Sequence, residues 1–280
     1  MDKAIKKYFP LFALPTLAAF TIGFIIPFIM GIYLSFCKFT TITDAKIIGF
    51  SNYTKIFGDE TFVHALWYTV LFTIVSVLLI NFFAFVIAML LTKGIRGTNV
   101  FRTIFFMPNL IGGIVLGYIW QLIFNGILAH WDITLMYHEK YGFWGLVILM
   151  CWQQVGYMMI IYIAGIQNIP GDLIEAAKID GATSWQVLTK VTLPMVMPSI
   201  TVCTFLTLTN GFKLYDQNMA LTAGEPAKMS QLLALNIYDT FYGRNGWEGV
   251  GQAKAVVFFI IVAVIAVTQN YLTRSKEVQQ

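Results

Sequence analysis

Ala65–Thr92, ALWYTVLFTIVSVLLINFFAFVIAMLLT, is an apolar run with no Asp or Glu in it, closed by Lys93. A helix needs ~20 apolar residues to cross the hydrocarbon core of a bilayer, so this run is long enough to span. Comparable runs lie at about 11–36, 103–126, 143–167, 193–213 and 255–273. Their period is helical, and the ~10-residue alternating segments of a membrane barrel are missing. The expected fold is therefore all-α: a polytopic integral membrane protein of six transmembrane helices, with residues 1–280 as a single transmembrane domain. Composition agrees, with 58% hydrophobic and 11% charged residues and a mean hydropathy of +0.73, far from a soluble domain.

Lys3, Lys6 and Lys7 precede the first run, but that run is much longer than the ~7 to 15 apolar residues of a signal peptide, and it reads as a retained span. With the N-terminus inside, Lys93, Arg96 and Arg102 share one tight cytoplasmic loop, and Arg274 and Lys276 follow the last run on the same side. Short loops carry the positive-inside rule best, so both termini are expected in the cytoplasm. Lys254 counts among the external charges. The net charge of +4 is spread over loops and reports topology, with no nucleic-acid partner implied.

Several functions lose support. No Asp or Glu lies inside any run, although ion-coupled carriers place such groups at depth. No G-x-x-x-x-G-K-[ST] loop is present to cradle a nucleotide. His64, His130 and His138 lack the i, i+4 spacing of a helix-borne metal site, and Cys37, Cys151 and Cys203 form no close pair, so neither metal nor disulfide is expected. No Ser/His/Asp set or paired carboxylates suggest catalysis.

The cytoplasmic stretch 169–192 is more specific. After Pro170-Gly171, Asp172-Leu-Ile-Glu175 has capping-box spacing, predicting a short helix. Gly181 permits a turn with positive φ. Thr183-Ser-Trp-Gln186 repeats the capping spacing and predicts a second helix from about Ser184 towards Val191, with Leu193-Pro194 opening the next span. Small Ala176 and Ala177 would let a partner backbone come close; the alternative is an amphipathic linker lying on the headgroups.

Glu175-Ala176-Ala177-Lys178-Ile179-Asp180-Gly181-Ala182, followed by Leu193-Pro194, resembles the EAA signature of binding-protein-dependent ABC importer permeases. Ala164–Pro170, Phe101–Pro108, Gly49–Tyr53, Tyr215-Asp216 and Leu221–Pro226 resemble the carbohydrate branch, and within it the first permease of a heterodimeric pair. Ala223 and Glu225 stand where that branch often has glycine. The resemblance implies a type I, MetI-like permease of a bacterial cytoplasmic membrane. Its expected companions are a second, non-identical permease, two ATPase subunits holding ATP and magnesium, and an extracellular sugar-binding protein delivering an oligosaccharide. In that scheme Glu175, Ala176, Ala177, Lys178, Asp180, Gly181 and Ala182 form the coupling contact with an ATPase. The nearest alternatives are a permease for a non-sugar solute or a self-contained secondary carrier.

Sugars are held by amides, hydroxyls and aromatic faces, and polar groups within spans are otherwise costly. The residues expected to line a pathway are Asn109, Trp120 and Gln121 in the third run, Trp152, Gln153 and Tyr157 in the fourth, and Thr207, Asn210 and Lys213 in the fifth, beside Gln154. Thr207 and Asn210 share a helix face. The competing role for each is interhelical hydrogen bonding or, for Trp and Tyr, interfacial anchoring; Lys213 has the alternative of pairing with Asp216 at i, i+3. The external stretch 218–253 is long enough for a small helix and a docking surface, with Glu225 and Glu248 either solvated or touching a partner.

Overall fold

A computed structural model describes residues 2–274; Lys276, part of the charge bias above, lies outside them. The spans are α1 (Leu11–Ser35), α3 (Glu60–Leu91), α5 (Gly113–Leu128), α6 (Glu139–Gln167), the bent pair α8 (Ser184–Met195) and α9 (Met197–Phe212), and α12 (Glu248–Arg274). Between them lie α2 (Ser51–Phe57), α4 (Thr98–Phe106), α7 (Gly171–Ile179), α10 (Asp216–Leu221) and α11 (Leu233–Gly243). Among the described residues, five helices are long and apolar enough to cross a membrane, or six when the bent pair counts as one.

Three boundaries differ from expectation. The run 103–126 is not one helix: Pro108 sits in a 3-10 turn over Met107–Leu110 and Gly112 is extended, so α4 and α5 are separate. Proline supplies no N–H and crowds the preceding turn. The fifth span bends by 68° between α8 and α9, where Pro194 and Pro198 flank the buried Val196. The last span begins at Glu248 and takes in Lys254, which is fully buried.

The chain forms two compact units, residues 1–60 with 237–260 and residues 61–236 with 261–280. In the first, α1 leads into a hairpin of β1 (Cys37–Lys38) and β2 (Lys46–Ile47). Asn52 Nδ2 donates to the carbonyls of Ser35 (2.9 Å) and Cys37 (2.8 Å), and the Tyr53 hydroxyl meets Ser35 Oγ at 2.7 Å. The Asn-Tyr pair thus ties α2 to the end of α1.

The second unit is centred on α6, which is far more buried than α1. Lipid supplies no hydrophobic push between helices, so close contact comes from small residues and interhelical hydrogen bonds. A Cβ on Gly156 would collide with the Phe105 carbonyl, one on Gly165 with Ser199, and one on Gly211 would press on Thr73. Midway, Tyr162 donates to Asn81 Oδ1 (2.7 Å) and Asn81 Nδ2 donates to Thr207 Oγ1 (3.0 Å), linking α6, α3 and α9.

Candidate coupling loop and polar cavity

The loop 169–192 is helical where expected, with different caps. Pro170 is the N-cap of α7 and no side chain caps it; the Asp172–Glu175 box is not formed, because the helix begins one residue before Asp172. Asp172 in the first turn and Lys178 in the last still complement the helix dipole. At the other end Gly181 has φ +80°, Gly181 N–H donates to Lys178 O (3.1 Å), and Ala182 N–H donates to Ala177 O (3.0 Å). These are the two bonds of a Schellman cap, which asks for glycine at the left-handed position. The second box does form: Thr183 N–H donates to Gln186 Oε1 (2.8 Å) and Gln186 N–H to Thr183 Oγ1 (3.3 Å). From Leu188 to Thr192 the helix widens into a π turn before the bend.

This loop buries little of itself. Glu175, Ala176, Lys178, Asp180 and Gly181 are exposed, Ala177 and Ala182 partly so, and Ile179 is 86% and Trp185 71% exposed. Ile174 alone of α7 packs on the core of the unit. Well-capped helices that show large apolar side chains to solvent have the character of a contact surface.

A polar cavity of about 270 Å³ opens elsewhere in the same unit, lined by Gln153, Gln154, Asn210, Lys213, Leu214, Tyr215, Asp216 and Gln217. Its amides are aligned by one another. Asn210 Nδ2 donates to Gln154 Oε1 (3.0 Å), Gln217 Nε2 to Gln153 Oε1 (2.8 Å), and Gln153 Nε2 to the Ile111 carbonyl (3.2 Å). Each amide has two N–H groups and a carbonyl with two lone pairs, so these bonds fix the side chains and leave hydrogen-bonding capacity for a solute. Lys213 and Asp216 sit at the exposed rim.

Gln217 reaches the cavity because α10 folds back against α5. Gly113 and Gly117 make room for it: a Cβ on Gly117 would stand 2.6 Å from Ala220 Cβ. Gln121 Nε2 then holds the Leu221 carbonyl at 2.9 Å. Beyond α10, Asn218 Nδ2 donates to Ser230 O (2.9 Å) and Leu232 N–H donates to Asn218 Oδ1 (2.8 Å), closing the loop on itself.

Of the residues expected along a pathway, Gln153, Asn210 and Lys213 meet at this cavity together with Gln154, and the others do not. Gln121 is engaged with α10. Trp120 and Trp152 pack edge to face at 5.5 Å, and Tyr157 lies 6.3 Å from the Phe106 ring. Asn109 sits on the 3-10 turn beside Pro108. Thr207 is fully buried, with its hydroxyl donating to Cys203 O at 2.8 Å and accepting from Asn81. Tyr215 and Gln217 were not anticipated, since the polar stretch after Phe212 reads as external loop. Asn81 was also missed, although a lone amide deep in the Ala65–Thr92 run is a signal in itself.

A second hollow, about 720 Å³, lies in the first unit against Pro27, Phe28, Gly31, Val256 and Phe259. Its lining is almost wholly apolar, a poor match for a hydroxyl-rich solute.

The chain is 45% identical to the "Probable starch degradation products transport system permease protein AmyD" of Thermoanaerobacterium thermosulfurigenes, over 96% of this chain and 94% of that one. It is 29% identical to the multiple sugar-binding transport system permease protein MsmF of Streptococcus mutans, covering 99% of both. Among solved structures, a bacterial ABC transporter that imports the acidic polysaccharide alginate matches with a TM-score of 0.82 at 21% identity, over 98% of each chain. A bacterial alginate ABC transporter in complex with an alginate pentasaccharide-bound periplasmic protein matches with a TM-score of 0.81 at 22% identity, over 98% of this chain and 97% of that one. Residues 85–278 match the model of the binding-protein-dependent transport system inner membrane component, and the chain, a multi-pass membrane protein, belongs to that family.

Proposed function

We propose that this chain is one of two non-identical permease subunits of an ATP-driven, binding-protein-dependent carbohydrate importer. It supplies half of the sugar path and takes its motion from a cytoplasmic ATPase docked on α7. The observation that carries the reading is the loop itself: a helix closed by a Schellman cap at Gly181, with Ala176 and Ile179 exposed. Intrinsic stability does not call for such a helix, since isolated helices shorter than ~12 residues are marginal; a partner that grips it does.

Two ATPase subunits, with ATP and magnesium bound to them, provide the energy, and an extracellular binding protein hands over an oligosaccharide. Both termini and α7 face the cytoplasm of a bacterial cell, within the lipid of its membrane. The Gln153, Gln154, Asn210 and Gln217 amides form one wall of the path, where hydroxyls exchange water for protein partners, and the second permease completes it. The sugar-transport relatives favour starch-derived or mixed saccharides as cargo.

The test is reconstitution. The assembled complex in liposomes should take up saccharide and hydrolyse ATP faster with loaded binding protein, and Gly181→Asp should lose both. Unchanged uptake and stimulation in that variant would overturn the coupling role, and solute movement by this chain alone would overturn the importer reading.

A further inference from the structure

Asn218 is fully buried in the second unit. It stands one residue along α10 from Gln217, which is partly exposed and bonds Gln153 at the cavity (2.8 Å). Asn218 Nδ2 donates to Thr222 Oγ1 (3.1 Å) and Ser230 O (2.9 Å), and its Oδ1 accepts from Leu232 N–H (2.8 Å). Thr222, also fully buried, accepts in turn from Gly224 N–H (3.2 Å), and Ser230 Oγ donates to the Glu225 carbonyl. One amide therefore knots α10 to both limbs of the loop 222–232, while the lining of the cavity ends at Gln217.

A helix of 6 residues does not hold an orientation by itself, since isolated helices shorter than ~12 residues are marginal. The direction of Gln217 is set by what surrounds α10. On one side is α5, where a Cβ on Gly113 would stand 2.7 Å from Asp216 Cβ. On the other side the knotted loop is itself anchored. A Cβ on Gly142 of α6 would stand 2.9 Å from Ser230 Cβ, Leu233 N–H donates to Thr69 Oγ1 of α3 (2.8 Å), and His64 Nε2 meets Met229 O at 2.8 Å. Within the loop Ala223, Ala227 and Lys228 have φ of 51°, 50° and 64°, a region that side-chained residues enter uncommonly. Such conformations persist only where the surroundings over-determine them, and they collect where a group has to be held in one place.

We propose that Asn218 is a positioning residue: the knot it closes through Thr222, Ser230 and Leu232 fixes the rotation of α10 and so holds the Gln217 amide in the wall that meets the saccharide. This rests on the importer reading above, and it makes saccharide affinity depend on a side chain that the saccharide never touches.

The experiment is a double-mutant cycle read from uptake of radiolabelled maltotriose by the complex assembled in liposomes. Gln217→Leu should raise the half-saturating concentration about tenfold. Asn218→Leu, close in size but unable to bond the loop, should raise it by about the same factor, with the maximal rate within about twofold of the parent. The double variant should also stay near tenfold, because Asn218 acts through Gln217. A double variant near a hundredfold, or an Asn218→Leu complex that loses maximal rate at an unchanged half-saturating concentration, overturns the knot as a positioning device and leaves the importer reading standing. An unchanged concentration in Gln217→Leu overturns it as well. Should Asn218→Leu fail to assemble, Thr222→Val decides: a rise of about threefold that vanishes in the Gln217→Leu background supports the proposal, and no rise overturns it. If the parent complex takes up no maltotriose although its binding protein holds it, the importer reading falls and the proposal with it.

Discussion

The 169–192 loop and the polar cavity belong to one compact unit and use their polar residues in opposite ways. In the loop, Thr183, Gln186 and Gly181 satisfy local backbone groups, and the side chains between them face water. In the cavity, Gln153, Gln154, Asn210 and Gln217 bond to one another across helices that are far apart in sequence. A loop whose contacts are all within a few residues can be deduced from spacing. A wall made of partners 56 and 64 residues apart cannot, because nothing local says which amide faces which.

Five variants would break or sharpen this contrast. The largest effect belongs to Gly181→Asp, which puts a side chain at φ +80° on the gripped helix. Uptake should fall about thirtyfold, the rate equivalent of ~2 kcal/mol of strain and lost fit. Liposome uptake checks it, and near-parent activity would mean the cap has no role in coupling. Next, Asn210→Leu should raise the half-saturating saccharide concentration about tenfold by removing one arm of the wall, read from ATPase titrations.

Thr207→Val, three residues away on the same helix, should leave that concentration unchanged and instead lower thermal stability by about 0.6 to 1.7 kcal/mol, as expected for one interhelical hydrogen bond in a membrane. A melting curve separates the two, and a shifted saccharide response in Thr207→Val would dissolve the distinction between wall and core. Thr183→Ala should loosen α8 by about 1 kcal/mol, visible as faster amide exchange over Ser184–Val187 with a smaller loss of uptake than Gly181→Asp.

The smallest effect lies in another exposed capping box, Thr41–Asp44, in the first unit. The N–H groups of Thr41 and Thr40 (2.9 and 3.0 Å) hold the Asp44 carboxyl below its ordinary value of 3.8. Its contribution is present above that ordinary value and is lost as pH falls through the lowered one. Amide exchange at residues 40–44 should therefore quicken only in acid, and Asp44→Asn should remove the pH dependence while leaving uptake unchanged.

The six apolar runs were legible because a bilayer imposes one length and one composition on every crossing. Gly181 and the Thr183–Gln186 box were legible because each answers a backbone demand within a few residues. The break at Pro108 was written in the sequence too, but hydropathy alone passes over it. The burial of Lys254 was not legible for a different reason: a charge near the end of an apolar run gives no sign of its partner until Asp59, almost two hundred residues earlier, is seen beside it. Thr207 and Asn210 were indistinguishable in pattern, and only the position of Asn81 separates them.

The 68° bend between α8 and α9 also sets a scale. Ser184–Met195, at ~1.5 Å per residue, makes an arm about 18 Å long, pivoting where Pro194 and Pro198 weaken the backbone ladder. Swinging that arm through about 10° carries its far end ~3 Å, roughly the length of a hydrogen bond. An elbow of these proportions would turn a modest rotation at one end into the making or release of a bond at the other.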